Sequence, residues 1–241
     1  MLLAEVDHGL LRNYKVTYGV LNAADYGVSQ RRRRTIVIGS RVGKIELPPP
    51  THTKEWRPGD TRLPWRTVRD AIWGLPERPE STELPAALTE FFGEPMPGVF
   101  KALDIHFRRD PRPLSLARYD AVPPGGGRFD IPEDLLSRCW REKSTGTTDV
   151  MGRMRWAAPS LTIRTEFFKP EKGAYLHPQW CPGTGTRVNR VITHYEASLI
   201  QDFPKEYLWV GTKISIAKQI GNAVPSGLAR AIARQVKERL L

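Results

Sequence analysis

Proline and glycine decide where regular structure can run in this chain, because 21 prolines and 20 glycines interrupt its 241 residues. Proline removes a backbone donor and fixes φ, and glycine loses more chain entropy in a regular element than any other residue. Leu47-Pro48-Pro49-Pro50-Thr51-His52 and the polar stretch to Pro64 read as an extended surface linker. Residues 77 to 150 are rich in proline, glycine and charge, and Pro123-Pro124-Gly125-Gly126-Gly127 reads as a flexible loop. Little secondary structure is predicted in that region.

Regular elements are read on either side of it. Val16, Tyr18 and Val20 alternate onto one face between Lys15 and Leu21, which predicts a strand. Thr35 to Gly39 is a short β-branched run and predicts a second strand, with Gly27 in the intervening loop free to take a positive φ. Thr67 to Pro76 reads as a short helix, capped by Thr67 with Asp70 following and Val68, Ala71, Ile72 and Leu75 on one face. Ser160 to Thr165 reads as a strand. Thr193 and Glu196 form a capping-box pattern that opens a helix running to about Gln201. Pro225 opens a final helix whose apolar stripe is Leu228, Ile232, Val236 and Leu240.

With 40% hydrophobic and 26% charged residues, the composition is that of a globular protein, and no apolar run approaches the roughly 20 residues of a membrane helix. Residues 1 to 7 lack the basic and apolar regions of a signal peptide, so a cytoplasmic location is expected. The two cysteines, Cys139 and Cys181, lie far apart without metal-ligand spacing, and the five histidines form no metal pattern. The formal net charge of +11 favours a polyanionic partner through counterion release.

The stretch Asn22-Ala23-Ala24-Asp25-Tyr26-Gly27-Val28-Ser29-Gln30-Arg31-Arg32-Arg33-Arg34 resembles a block of the DNA cytosine-5 methyltransferases, in which a Tyr-Gly-Val-Pro-Gln loop enters a Gln-x-Arg-x-Arg strand. Ser29 stands where that family has proline, which should loosen the turn. Three further blocks follow in the family's order. Pro49 to His52, Thr67 to Ile72 and Leu75-Pro76 resemble the lead into the target-recognition domain, and Thr162-Ile163 resembles a Thr-Leu pair within it. Arg190, Thr193, Glu196, Gln201, Phe203 and Pro204 fit the next block, although Leu199 replaces its customary arginine. Gln219 to Pro225 resembles the last motif.

The resemblance implies an α/β fold: part of a Rossmann-like, S-adenosylmethionine-dependent methyltransferase domain plus a small, irregular, mostly-β target-recognition domain. Residues 1–76 and 190–241 would form the catalytic portion and 77–189 the recognition domain. In the family, a cysteine thiolate adds to C6 of a flipped cytosine and makes C5 nucleophilic, while a glutamate near N3 and an arginine near O2 stabilise the developing charge. The match assigns the O2 contact to Arg34, with Arg32 supporting the active-site loop or pairing with a partner's carboxylate and Gln30 ordering the loop. Arg31 and Arg33 point the other way along the strand and read as solvated. Asn222, Gly221 and Ala223 would touch S-adenosylmethionine. Thr162, Arg164, Arg153 and Arg155 are candidates for reading double-stranded DNA, in base-edge or phosphate contacts. Thr193 and Glu196 read as scaffold.

The sequence contains no Pro-Cys dipeptide for the nucleophile, no Glu-Asn-Val motif and no Phe-x-Gly-x-Gly cofactor turn. Cys139 and Cys181 read as structural residues. The expectation is a subunit of a split, heterodimeric enzyme, inactive without a second chain that carries these motifs and shares the cofactor. A truncated or degenerate methyltransferase fragment, or a non-catalytic DNA-binding and regulatory module, are the alternatives.

Overall fold

The computed structural model describes residues 12–86, 88–142, 145–179 and 188–240. Strands β1 (Lys15–Asn22) and β2 (Arg33–Ser40) form an antiparallel hairpin in which Tyr18 faces Val37 and Leu21 faces Arg34. Between them a 3-10 turn, Ala23–Tyr26, ends at Gly27 in the left-handed region, and a Cβ on Gly27 would strike the His52 ring at 2.8 Å. The following turn is tied rather than loosened at Ser29, which is buried and whose carbonyl accepts from the Ser160 N–H at 3.0 Å.

The linker contributes the two-residue strands β3 (His52–Thr53) and β4 (Leu63–Pro64) and leads into helix α1 (Val68–Ile72). The Thr67 hydroxyl and the Asp70 carboxylate cap that helix reciprocally, as the sequence predicts. Gly74 (φ +84°) then turns the chain away.

Between residues 77 and 189 the described residues are irregular, but not mostly β. They form one short hairpin, β5 (Leu88–Phe91) with β6 (Glu94–Pro97), the two-residue strand β7 (Val99–Phe100), and helices α2 (Pro113–Ala121) and α3 (Arg138–Arg141). The run Ser160 to Thr165 is not a strand. It makes a single bridge with Gln30, and its remaining polar groups are met largely by side chains from distant segments.

The chain closes with helix α4 (His194–Ile200), strand β8 (Trp209–Val210), helix α5 (Lys213–Asn222) and helix α6 (Ser226–Leu240). Helix α5 was not read from the sequence beyond its final motif. Strands β7 and β8 pair, which joins residues 99–100 to 209–210. The main core runs through α1, the 100–107 segment, the 154–175 segment and α4 to α5, with Ile72, Ile105, Ile163, Phe167, Ile200, Trp209, Ile216 and Ile220 at 2% exposure or less. The described strands make four separate two-stranded sheets and no multi-stranded parallel Rossmann sheet.

Leu228 is fully buried in this chain against Ala23, Tyr26 and Val28, and Ile232 packs onto the same cluster. Exposed apolar surface lies on the hairpin, at Tyr18 (58%), Val20 (62%) and Val37 (44%), and at the end of α6, at Leu240 (58%).

Candidate functional site

The Gln30–Arg34 segment is held by a buried chain of amides. Gln30 Oε1 accepts from the Ile163 backbone N–H at 2.8 Å, and Gln30 Nε2 donates to Gln201 Oε1 at 2.8 Å. Gln201 Nε2 in turn donates to the Ile220 carbonyl at 2.6 Å. Two side-chain amides, each with both ends used, thereby link the strand entry, the 160s segment, the end of α4 and the end of α5. Complete satisfaction is what makes such a buried polar chain specify one arrangement.

Arg32 reinforces the same junction. Its Nη1 donates to the Ile163 carbonyl and its Nη2 to the Gly221 carbonyl, each at 2.7 Å, and the residue is 2% exposed. Its Nε–H, buried, has no acceptor among the described residues. Burial first, then the neighbouring charge of Arg34, draw its pKa down to about 10, so it remains cationic at neutral pH. Two carbonyls solvate the charge, and no carboxylate among the described residues is hydrogen-bonded to it.

Arg34 lies two residues on, where period-two geometry returns the chain to the same face. It is half-buried, and its Nη1 donates to the Arg33 carbonyl at 2.7 Å. The rest of its guanidinium fork is unengaged among the described residues. Arg31 and Arg33 are exposed, as the alternation predicts.

The remaining candidates separate into groups. Gly221 is buried, and a Cβ there would meet the Thr165 nitrogen at 2.4 Å and its Cα at 2.5 Å. It is glycine because two backbones cross. Asn222 ends α5 exposed, with its amide unengaged among the described residues, and Ala223 is half-buried beside it. Asn222 and Ala223 are thus the accessible part of the last motif.

Arg153 is corrected. It is 1% exposed and donates to the carbonyls of Val122, His177 and Tyr119 and to Asn189 Oδ1, so it cannot read DNA. Thr162 donates to the Arg31 carbonyl at 3.1 Å. Arg164 is exposed but partly committed, to the Lys172 carbonyl at 2.9 Å and to Asp149 at 3.2 Å. Arg155 is exposed and makes no hydrogen bond among the described residues. Cys139 is exposed and lines a groove with Trp140 and Arg118, away from Gln30 to Arg34, while Cys181 lies outside the described residues.

Beneath this junction lies a buried ionic centre. Arg190 donates to both oxygens of Glu196 at 2.7 and 2.8 Å, Glu196 caps α4 through the Thr193 N–H, and His177 Nε2 stands 3.4 Å from Glu196. Burial raises the Glu196 pKa, but Arg190 and His177 more than offset that and leave it well below the usual carboxylate range. This agrees with a scaffold role for Thr193 and Glu196. Sequence reasoning missed His177 and Tyr175, whose hydroxyl donates to the Thr162 carbonyl and accepts from the Arg164 N–H. Nothing local marks either residue. For α5 a local signal did exist, because the Thr212 hydroxyl caps the Ser215 N–H.

Residues 10–238 match the family model described as C-5 cytosine-specific DNA methylase. The chain is 32% identical over 232 residues to the Type II methylase M.HgiDII of Herpetosiphon aurantiacus, covering 94% of this chain and 56% of that protein. It is 30% identical over 270 residues to DNA (cytosine-5)-methyltransferase 2 of Arabidopsis thaliana, covering 94% of this chain and 17% of that protein. In fold it is similar to a prophage-encoded Escherichia coli protein crystallised as a candidate DNA modification methyltransferase, with a TM-score of 0.62 at 18% identity over 99% of this chain and 64% of that one. The chain spans about half the length of the bacterial relatives M.HgiDII, M1.HphI and M.SacI, at 56%, 48% and 53%.

Proposed function

This chain belongs to the C-5 cytosine-specific DNA methylase family, and we propose that it supplies DNA recognition and part of the active site for methyl transfer to C5 of cytosine in a duplex site. A second polypeptide carries the attacking cysteine, the acidic residue near N3 and the main cofactor turn. The observation that carries the reading is Arg34. Its fork is held at the start of strand β2, whose entry is locked by Gln30 and Arg32, with donors left free among the described residues. A planar cationic fork suits the O2 of a flipped cytosine, where negative charge accumulates as C5 becomes nucleophilic.

The other residues of this chain position rather than react. Gln30 and Gln201 hold the strand against α4 and α5, and Arg32 sets the distance between Ile163 and the end of α5. Asn222 and Ala223 would contact S-adenosylmethionine, which supplies the methyl group when bound. The names of the bacterial relatives suggest a place in restriction-modification.

The test is reconstitution. Chain alone, incubated with labelled S-adenosylmethionine and duplex DNA, should transfer no methyl group, whereas the chain with a polypeptide bearing Pro-Cys-Gln and Phe-x-Gly-x-Gly should. Turnover by the isolated chain would overturn the two-polypeptide reading. In the reconstituted enzyme, Arg34→Ala should lower turnover by at least about 100-fold while DNA binding persists. Wild-type rates in that variant would remove Arg34 from the mechanism.

A further inference from the structure

A cleft of about 660 Å³ separates the Pro-Pro-Gly-Gly-Gly turn from the entry to β2, and of its cations only Arg153 and Arg155 are DNA-contact candidates in the sequence. Arg31, Lys54 and Arg155 line it from segments distant in sequence, and all are exposed. None of these side chains has a hydrogen bond or ion pair among the described residues. The one further cation of the lining, Arg153, is spent on buried carbonyls. The carboxylate of the lining, Asp149, is held by Arg164 at 3.2 Å. Three positive charges therefore face one cleft without compensation.

The glycine turn, read from the sequence as flexible, is anchored. The Gly125 N–H donates to the Arg153 carbonyl at 2.8 Å, the Arg153 N–H to the Gly126 carbonyl at 3.1 Å, and the Gly127 N–H to Asp130 at 2.8 Å. Gly125 has φ +79°, and a Cβ on it would fall 1.7 Å from Arg155 Nε. The guanidinium of Arg155 thus rests on bare backbone that no other residue could leave open. On the opposite wall, the Arg31 N–H donates to the Ser160 carbonyl at 2.9 Å, and strand alternation turns its side chain away from buried Gln30 and Arg32.

We propose that Arg31, Lys54 and Arg155 form a phosphate clamp that grips the backbone of duplex DNA independently of sequence, with Gly125 as the seat of Arg155. This rests on reading the chain as the DNA-recognising part of a methyltransferase. Base-edge readout needs a fork fixed in plane by supporting hydrogen bonds, and none of the three has one. Phosphate contacts need only placed charge, and they set the register of a protein on the duplex.

The test is fluorescence anisotropy of the full chain with labelled duplexes of unrelated sequence across a salt series. Arg31→Gln, Lys54→Gln and Arg155→Gln, all at exposed positions, should each reduce the slope of log affinity against log salt by about 0.9. Each should also weaken every duplex by a similar factor. Gly125→Ala should reproduce Arg155→Gln, while the exposed glutamine variants keep the test free of folding effects. Unchanged slopes with retained DNA binding would overturn the clamp alone. Weakening confined to one sequence would overturn it in favour of base reading. Absence of any DNA binding by the wild-type chain would overturn the clamp together with the proposed function.

Discussion

Arg32 and Arg34 are the same residue type two positions apart, and their surroundings give them different work. Arg32 donates to two carbonyls in a buried junction, so its removal strands both acceptors. Arg32→Met should lower the unfolding free energy by about 2–4 kcal/mol, read from urea denaturation. Arg32→Lys keeps the charge but cannot span both carbonyls with a planar fork, and it should recover less than half of that loss. Full recovery by lysine would show that charge, not geometry, holds the junction. Arg34→Ala removes one exposed hydrogen bond and should change stability by no more than about 0.5 kcal/mol. The contrast separates a residue that shapes the site from one available to act in it.

At the scale of elements, helix α4 brings acid sensitivity into the core. The His194 ring packs against Phe107, Phe167 and Phe168 with centroids 4.6, 5.0 and 5.9 Å away, and its Nε2 hydrogen-bonds the Lys213 carbonyl of α5 at 2.9 Å. Burial draws its pKa down from 6.5 to about 4. Because the folded value lies below the unfolded one, the unfolded chain takes the proton first. Its contribution is complete above about pH 6.5 and is lost as the pH falls toward 4, by about 3 kcal/mol. His106 and His177 are lowered in the same direction by burial. Urea midpoints should therefore fall between about pH 7 and about pH 4, and His194→Phe should remove part of that fall. An unaltered pH profile in the variant would exclude His194 as a source. The helices carrying these effects were legible where their signals are local: Thr67 with Asp70 and Thr193 with Glu196 cap as the sequence indicates. Ser160 to Thr165 was misread because its alternating, partly β-branched pattern suits a strand, while its actual partners, Gln30 and Arg32, lie about 130 residues away. Arg153 was misread for the same reason, since nothing in the sequence marks which arginine is buried.

For the whole molecule, the decisive quantity is apolar surface left in water. The alternation of Val16, Tyr18 and Val20 identified a strand face correctly but not what covers it. The stripe of α6 is closed at its start, where Leu228 packs onto Ala23, Tyr26 and Val28 within the chain. The opening is on the hairpin, where Tyr18 and its cross-strand neighbour Val37 are both exposed with Val20 beside them. If the chain works with a second polypeptide as proposed, this face is where that polypeptide would dock. Burying each of Tyr18 and Val37 would contribute about 1.5–3 kcal/mol, and placing a charge at both should weaken assembly by at least about 100-fold. The double variant Tyr18→Lys, Val37→Lys should also be more soluble alone, because a contiguous apolar patch has gone. Co-purification and restored methyl transfer are the readouts, with urea denaturation of the isolated variant establishing that the hairpin still folds. A folded variant that assembles and turns over like the wild type would show that the partner docks elsewhere.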